Sequence, residues 1–304
     1  MSTVVETQEL TRRFGRSEAI SELSLKVNEG SIYAFLGPNG AGKTTTIKVL
    51  MNLLEPSAGR ANVLGVPSTK LRPAELGQIG YVSENQELPT WMTASDLFAF
   101  CKPLYPQWDG ALCSELLRRF DLPPRQKIRS FSRGMKMKTA LIASLAYHPR
   151  LLILDEPLGG LDPLVRDEIV EGMLELVGKG DWSVFISSHD LSEIEHLADH
   201  VGFIREGRLI VSEDAATLKQ RFREIEVTLT EPRPLPSPWP ADWLTPAPSG
   251  RVIRFVDSRY DEGVTTQRLK QMFSEEVGIS ASPSALRDIF IALARRTPVA
   301  GGRI

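Results

Sequence analysis

Hydrophobic and polar positions divide the chain into recognisable elements before any motif is considered. Near the N-terminus, "TVVETQEL", "LSLKV" and "SIYAFLG" read as short strands with turns between them. A helix is predicted over "GKTTTIKVLMNLL", stopping at the Glu55-Pro56 break. After a glycine-containing stretch, "GRANVLG", comes a short apolar run, "QIGYV". From about Thr93 to Ala146 the periodicity is helical, punctuated by prolines at 103, 106, 123 and 124. Strands then alternate with helices through "LLILD", "PLVRDEIVEGMLELV", "WSVFISS" and "LSEIEHLA". Leu-, Ile- and Val-rich strands alternating with helices imply an α/β fold around a buried parallel sheet. "HVGFIREGRLIVS" reads as a hairpin turning at Glu206-Gly207.

Beyond Phe222 the composition changes. "EPRPLPSPWPADWLTPAPSG" carries seven prolines between Pro232 and Pro248, too many for a packed helix or a central strand. Strand-like "EIEVTLT" and "RVIRFVD" flank it, followed by helical "VTTQRLKQMF" and "SALRDIFIALARR". The expectation is a large domain over 1–222, with a helical subdomain at about 84–148. A small C-terminal α/β appendage over 223–304 would have its first two strands joined by a stiff proline loop at 232–248. A length of 304 residues accommodates both. The net charge of −2 gives no global attraction to polyanions. Cys101 and Cys113 form no disulfide framework or CxxC pair. No apolar run approaches the roughly 18 residues of a membrane span.

The chemistry is concentrated at three strand ends. "GPNGAGKT" matches G-x-x-x-x-G-K-[ST] and lies between a predicted strand and a predicted helix. Gly37, Pro38, Asn39, Gly40, Ala41 and Gly42 would wrap phosphates, with N–H groups of the loop (Pro38 has none) turned inward, and Thr45 in the helix that follows would contact the nucleotide as well. Lys43 would reach the β- and γ-phosphates, and the Thr44 hydroxyl would ligate Mg²⁺. In "LLILDEP", Asp155 is placed to hold the Mg²⁺ shell and Glu156 to polarise an attacking water. "VFISSHD" ends another buried strand at His189, a candidate contact for the γ-phosphate.

"FSRGMKMK" has two readings, a basic nucleic-acid patch or a phosphate-sensing helix start. Ser132 is a good N-cap, and Met135, Leu141, Ile142 and Leu145 form an apolar stripe behind it. The lysines would then lie on the outer face of that helix.

The order of phosphate loop, helical insertion, "FSRGM", "LLILDEP", "GGLDP" and "ISSHD" resembles the nucleotide-binding subunit of an ABC transporter over roughly residues 3–222. The resemblance implies a P-loop NTPase core of the ABC ATPase type, with an antiparallel β subdomain and a helical subdomain. It implies ATP and Mg²⁺ as ligands, with Lys43, Glu156 and His189 in the catalytic machinery. Phe14 would stack on adenine and Asp162 would communicate across a dimer. In the signature position, commonly L-S-G-G-Q, Ser132 and Gly134 would contact the ATP of a second, head-to-tail subunit. Arg133 and Met135 depart from that pattern. Where the family usually has glutamine, Glu84 or Gln86 would serve, Glu84 adding charge near Mg²⁺. The aromatic stretch from Trp91 to Trp108 would be partly subdomain core and partly a groove for a separate transmembrane permease. That permease would hold the chain at the cytoplasmic face of the membrane. The closing segments resemble export-type ATPases of antibiotic and multidrug efflux. The alternative is a soluble ABC-type ATPase acting on a ribosome or nucleic acid. Such translation factors carry two such domains, however, and repair types need a coiled coil for which 84–132 leaves no room.

Overall fold

The N-terminal alternation folds as two long antiparallel strands, β1 (Thr3–Phe14) and β2 (Ser17–Asn28), paired from Thr3 opposite Asn28 to Phe14 opposite Ser17. In this computed structural model residues 2–177, 182–190, 194–273 and 277–295 are described. The fully buried run "IYAFL" is β3 (Ile32–Leu36), which feeds the glycine loop and helix α1 (Lys43–Leu50). Strands β4 (Ala58–Val63) and β5 (Val66–Pro67) complete a four-stranded sheet ordered β2-β1-β4-β5. A short helix, α2 (Pro73–Leu76), precedes β6 (Ile79–Ser83). Between β6 and β7 (Leu151–Asp155) the chain is helical, with α3 (Ala94–Cys101), α4 (Gly110–Arg119) and α5 (Arg133–Leu145). Then follow α6 (Pro163–Val177), β8 (Ser183–Ser188), β9 (His200–Arg205) and β10 (Arg208–Asp214). Of the predicted helix "LSEIEHLA", residues 191–193 lie outside the described residues and 194–197 form a turn.

The second sheet is ordered β10-β9-β3-β8-β7-β6. Its β3–β8, β3–β9, β7–β8 and β6–β7 pairs are parallel, and β3, β7 and β8 are buried along their whole length. Burial on both faces is why these strands read as continuous apolar runs. β9 and β10 are joined at Glu206 and Gly207, both at positive φ (51° and 76°), as a two-residue hairpin turn requires. One core joins both sheets, running from Val5 and Leu23 through Ile47 and Phe185 to Ile204. Among the described residues no helix is long and apolar enough to cross a membrane.

The chain divides into two compact units, Met1–Ser212 and Glu213–Ile304, ten residues before the boundary expected from composition. Helix α7 (Ala215–Arg221) belongs to the second unit because Arg221 pairs with Glu213 and donates to the Ser258 carbonyl. That unit continues through β11 (Arg223–Thr228), β12 (Trp243–Ser249), β13 (Val252–Asp257), α8 (Glu262–Phe273), β14 (Gly278–Pro283) and α9 (Leu286–Arg295). Its sheet is ordered β12-β13-β11-β14. The second half of the expected proline loop is therefore a strand. Pro246 and Pro248 fit because β12 is at the edge, where a missing N–H leaves no ladder bond unmade.

Candidate functional site

The phosphate loop follows directly from β3. Gly37 N–H donates to the Ser188 carbonyl at 3.2 Å, fixing the loop to the end of β8. Gly42, at φ 109°, is the N-cap of α1, and a Cβ there would lie 2.4 Å from the Ala19 carbonyl oxygen. Only glycine meets both conditions. Pro38, Asn39 and Gly40 are exposed, Ala41 is buried, and Thr44 and Thr45 open the helix facing outward or half-buried.

Lys43 is 5 % exposed, and its ammonium donates to the carbonyls of Gly37 (2.6 Å) and Pro38 (3.1 Å). It also pairs with Glu156 Oε1 at 3.0 Å. The other Glu156 oxygen, Oε2, lies 2.7 Å from His189 Nδ1 and accepts from His189 N–H at 3.2 Å. Glu156 therefore bridges the phosphate loop and the end of β8. Its backbone is left-handed, φ 53°, which costs a non-glycine residue about 1–2 kcal/mol. The conformation is held by Ser187, whose carbonyl (3.2 Å) and hydroxyl (3.0 Å) both accept from Glu156 N–H.

Asp155 ends β7 within the sheet. Its Oδ1 accepts from Thr44 Oγ1 at 3.1 Å and Ser187 Oγ at 2.8 Å. Burial pushes its carboxyl above the ordinary aspartate range, opposed by these two hydroxyls and by Lys43. Lys43, Thr44, Asp155, Glu156 and His189, far apart in sequence, thus meet where three strands end. Ser187 was not among the residues singled out from sequence. Its signal was a pair of hydroxyls, Ser187 and Ser188, closing a wholly buried strand just before His189.

The remaining candidates are placed elsewhere. Phe14, at the end of β1, is 46 % exposed, with the Arg12 guanidinium 4.6 Å from its ring centre. Asp162 is exposed and accepts from Val165 N–H at 3.1 Å, bonding the first turn of α6. Ser132 is the exposed N-cap of α5, its hydroxyl accepting from Met135 N–H at 3.2 Å.

Four further residues, Glu84, Gln86, Gly134 and Lys138, have neighbours that the sequence does not reveal. The Glu84 carboxylate pairs with Arg133, and its N–H donates to the Asp155 carbonyl at 2.9 Å. Gln86 folds back on its own turn, its side-chain oxygen 3.4 Å from Ser83 N. Gly134 is buried against its own chain, where a Cβ would meet Val165 Cγ1 at 2.6 Å. Lys138 does not lie on the outer face of α5. It is 7 % exposed, pairs with Glu168 and has its ammonium 5.8 Å from the Phe120 ring centre. Of the aromatic stretch, Phe98 is buried and Tyr105 stacks on Tyr147 at 3.9 Å, while Trp91 and Phe100 are exposed.

A glycine loop between a buried strand and a helix, beside a strand ending in paired carboxylates, defines the class of phosphate-binding-loop nucleoside triphosphatases. The family model described as "ABC transporter" matches residues 20–159. The bacitracin transport ATP-binding protein BcrA of Bacillus licheniformis is 37 % identical over 226 residues, 74 % of this chain and 74 % of that one. The daunorubicin resistance ATP-binding protein DrrA3 of Streptomyces coeruleorubidus is 33 % identical over 297 residues, 94 % of this chain and 92 % of its own. Among solved structures, an ATP-binding subunit of an ABC transporter superposes with a TM-score of 0.65 at 28 % identity, covering 72 % of this chain and 92 % of that one. The chain belongs to the ABC transporter ATP-binding family, as an ATP-binding and ATP-hydrolysing subunit.

Proposed function

We propose that the chain hydrolyses ATP at the Lys43–Glu156–His189 centre to drive export through a separate transmembrane permease. The observation that carries this reading is the division of the Glu156 carboxylate between Lys43 at 3.0 Å and His189 at 2.7 Å. A carboxylate oriented from both sides and close to the phosphate loop suits a general base. Lys43 is the cation for the β- and γ-phosphates. With Nδ1 tied to Glu156, His189 has Nε2 for the γ-phosphate. Backbone N–H groups between Asn39 and Thr45 supply the phosphate cradle, and Phe14 supplies an exposed ring for adenine.

The donor set beside this centre suits Mg²⁺, which takes hard oxygen ligands: the Thr44 hydroxyl and the Asp155 carboxylate are 3.1 Å apart. When bound, the ion neutralises charge on the phosphate oxygens. Glu84, engaged by Arg133, is left out of that set.

Ser132 and Gly134, at the N-terminus of the 13-residue α5, form the half-site for the ATP of a second ATP-binding subunit. Asp162 lies beside the same interface. The exposed Trp91 and Phe100 would receive the permease at the membrane face. Relatives named for bacitracin transport and daunorubicin resistance support export of antibiotic-like compounds.

Glu156→Gln tests the centre. It keeps the shape and removes the base, so turnover falls about 10²–10⁴-fold while ATP binding persists. Phosphate release and equilibrium nucleotide binding, measured on the same preparation, check both halves. Undiminished phosphate release would remove Glu156 from the reaction.

A further inference from the structure

Two of the departures from the family's usual residues, Glu84 and Arg133, stand 49 positions apart and form an ion pair. Each side is anchored. Glu84 N–H donates to the Asp155 carbonyl at 2.9 Å, so the loop after β6 is tied to the end of the acid-bearing strand β7. Arg133 is the first residue of α5, directly after the N-cap Ser132. The pair lies across the backbone of Gly159 and Gly160, just before Asp162. A Cβ on Gly160 would be 2.6 Å from Arg133 Nη1, and one on Gly159 would be 3.3 Å from Glu84 Oε1. Gly160 is also at φ 66°, a left-handed conformation that favours glycine.

We propose that Glu84 and Arg133 are a positioning pair that holds the Ser132 turn in register with the Asp155–Glu156 strand end. An arginine in place of glycine at the signature position thereby acquires a use within its own subunit. It links the half-site offered to a second subunit's ATP with the subunit's own hydrolytic centre. The proposal rests on the half-site reading of Ser132. Arg133 and Glu84 side chains are 49 % and 32 % exposed, so the link is screened by solvent and its effect is modest and salt-sensitive.

The test uses the full chain and steady-state ATP hydrolysis with kcat and KM separated. Arg133→Gln and Glu84→Gln each raise KM for ATP about two- to fivefold, the scale of a part-exposed ion pair. The exchange Glu84→Arg with Arg133→Glu returns KM to within about twofold of the parent, and Arg133→Lys lies between. An exchange no better than the single variants overturns the proposal. So does a lower melting temperature with unaltered KM, which would mark the pair as structural only. A lower KM in Glu84→Gln also overturns it, because Glu84 would then be competing with phosphate for Arg133. Glu156→Gln separates the levels. If that variant loses turnover and the exchange fails, only the pair is refuted. If it keeps turnover, the hydrolytic reading itself falls.

Discussion

Gly134 shows at the residue scale how one position serves two demands. At an N-terminal half-site glycine would be wanted for close approach of a phosphate. In the subunit it is already needed for the approach of α5 to Val165 of α6. Valine is stiff at χ1 in a helix and cannot turn its methyl away. Gly134→Ala gains up to about 1 kcal/mol of helix propensity but incurs about 1–3 kcal/mol of overpacking. The expected outcome is a net loss of about 1 kcal/mol, read by urea unfolding and partly recovered by adding Val165→Ala. The glycine was legible in the sequence, but its neighbour was not, because it lies 31 positions on, beyond strand β7. Lys138 was misleading for the same reason. Its placement inward depends on Glu168 and Phe120, which no local pattern connects to it. The phosphate loop, by contrast, was fully legible, since its geometry is forced by consecutive backbone positions.

Caps decide where elements begin. Helix α3 starts with a reciprocal box: Thr93 Oγ1 accepts from Asp96 N–H at 3.1 Å, and Asp96 Oδ2 accepts from Thr93 N–H at 3.0 Å. Thr93→Ala is expected to cost about 1 kcal/mol. Asp96 is held below the ordinary carboxylate range, first by the Thr93 N–H and then by the Thr93 hydroxyl. A lowered folded pKa means that the contribution is present above the unfolded value of about 3.9 and is lost as pH falls through the folded one. The melting-temperature deficit of Asp96→Ala at pH 7 should therefore shrink progressively below about pH 4. Strands bounded by apolar runs, such as β3, β7 and β8, could be read from sequence. β12 and β14 could not. The first carries prolines, and "GISASP" in the second is nearly all exposed, so neither shows alternation.

For the whole molecule the decisive fact is that apolar burial falls in separate cores. One spans residues 4–204, and another gathers Ile225, Val227, Trp243, Phe255 and Leu269. In the second, Trp243 stacks on Phe255 at 4.7 Å and donates to the buried Asp257 at 3.2 Å. Trp243→Ala should cost that unit about 3–5 kcal/mol. Calorimetry should then show one transition moved and the other, together with ATP binding, retained. The edge strand β12 carries a consequence beyond packing. Pro246 and Pro248 have no amide hydrogen, so a stray chain laid along that margin finds gaps in its ladder. The prolines that obscured the strand in the sequence also make the sheet a poor template for recruiting other chains.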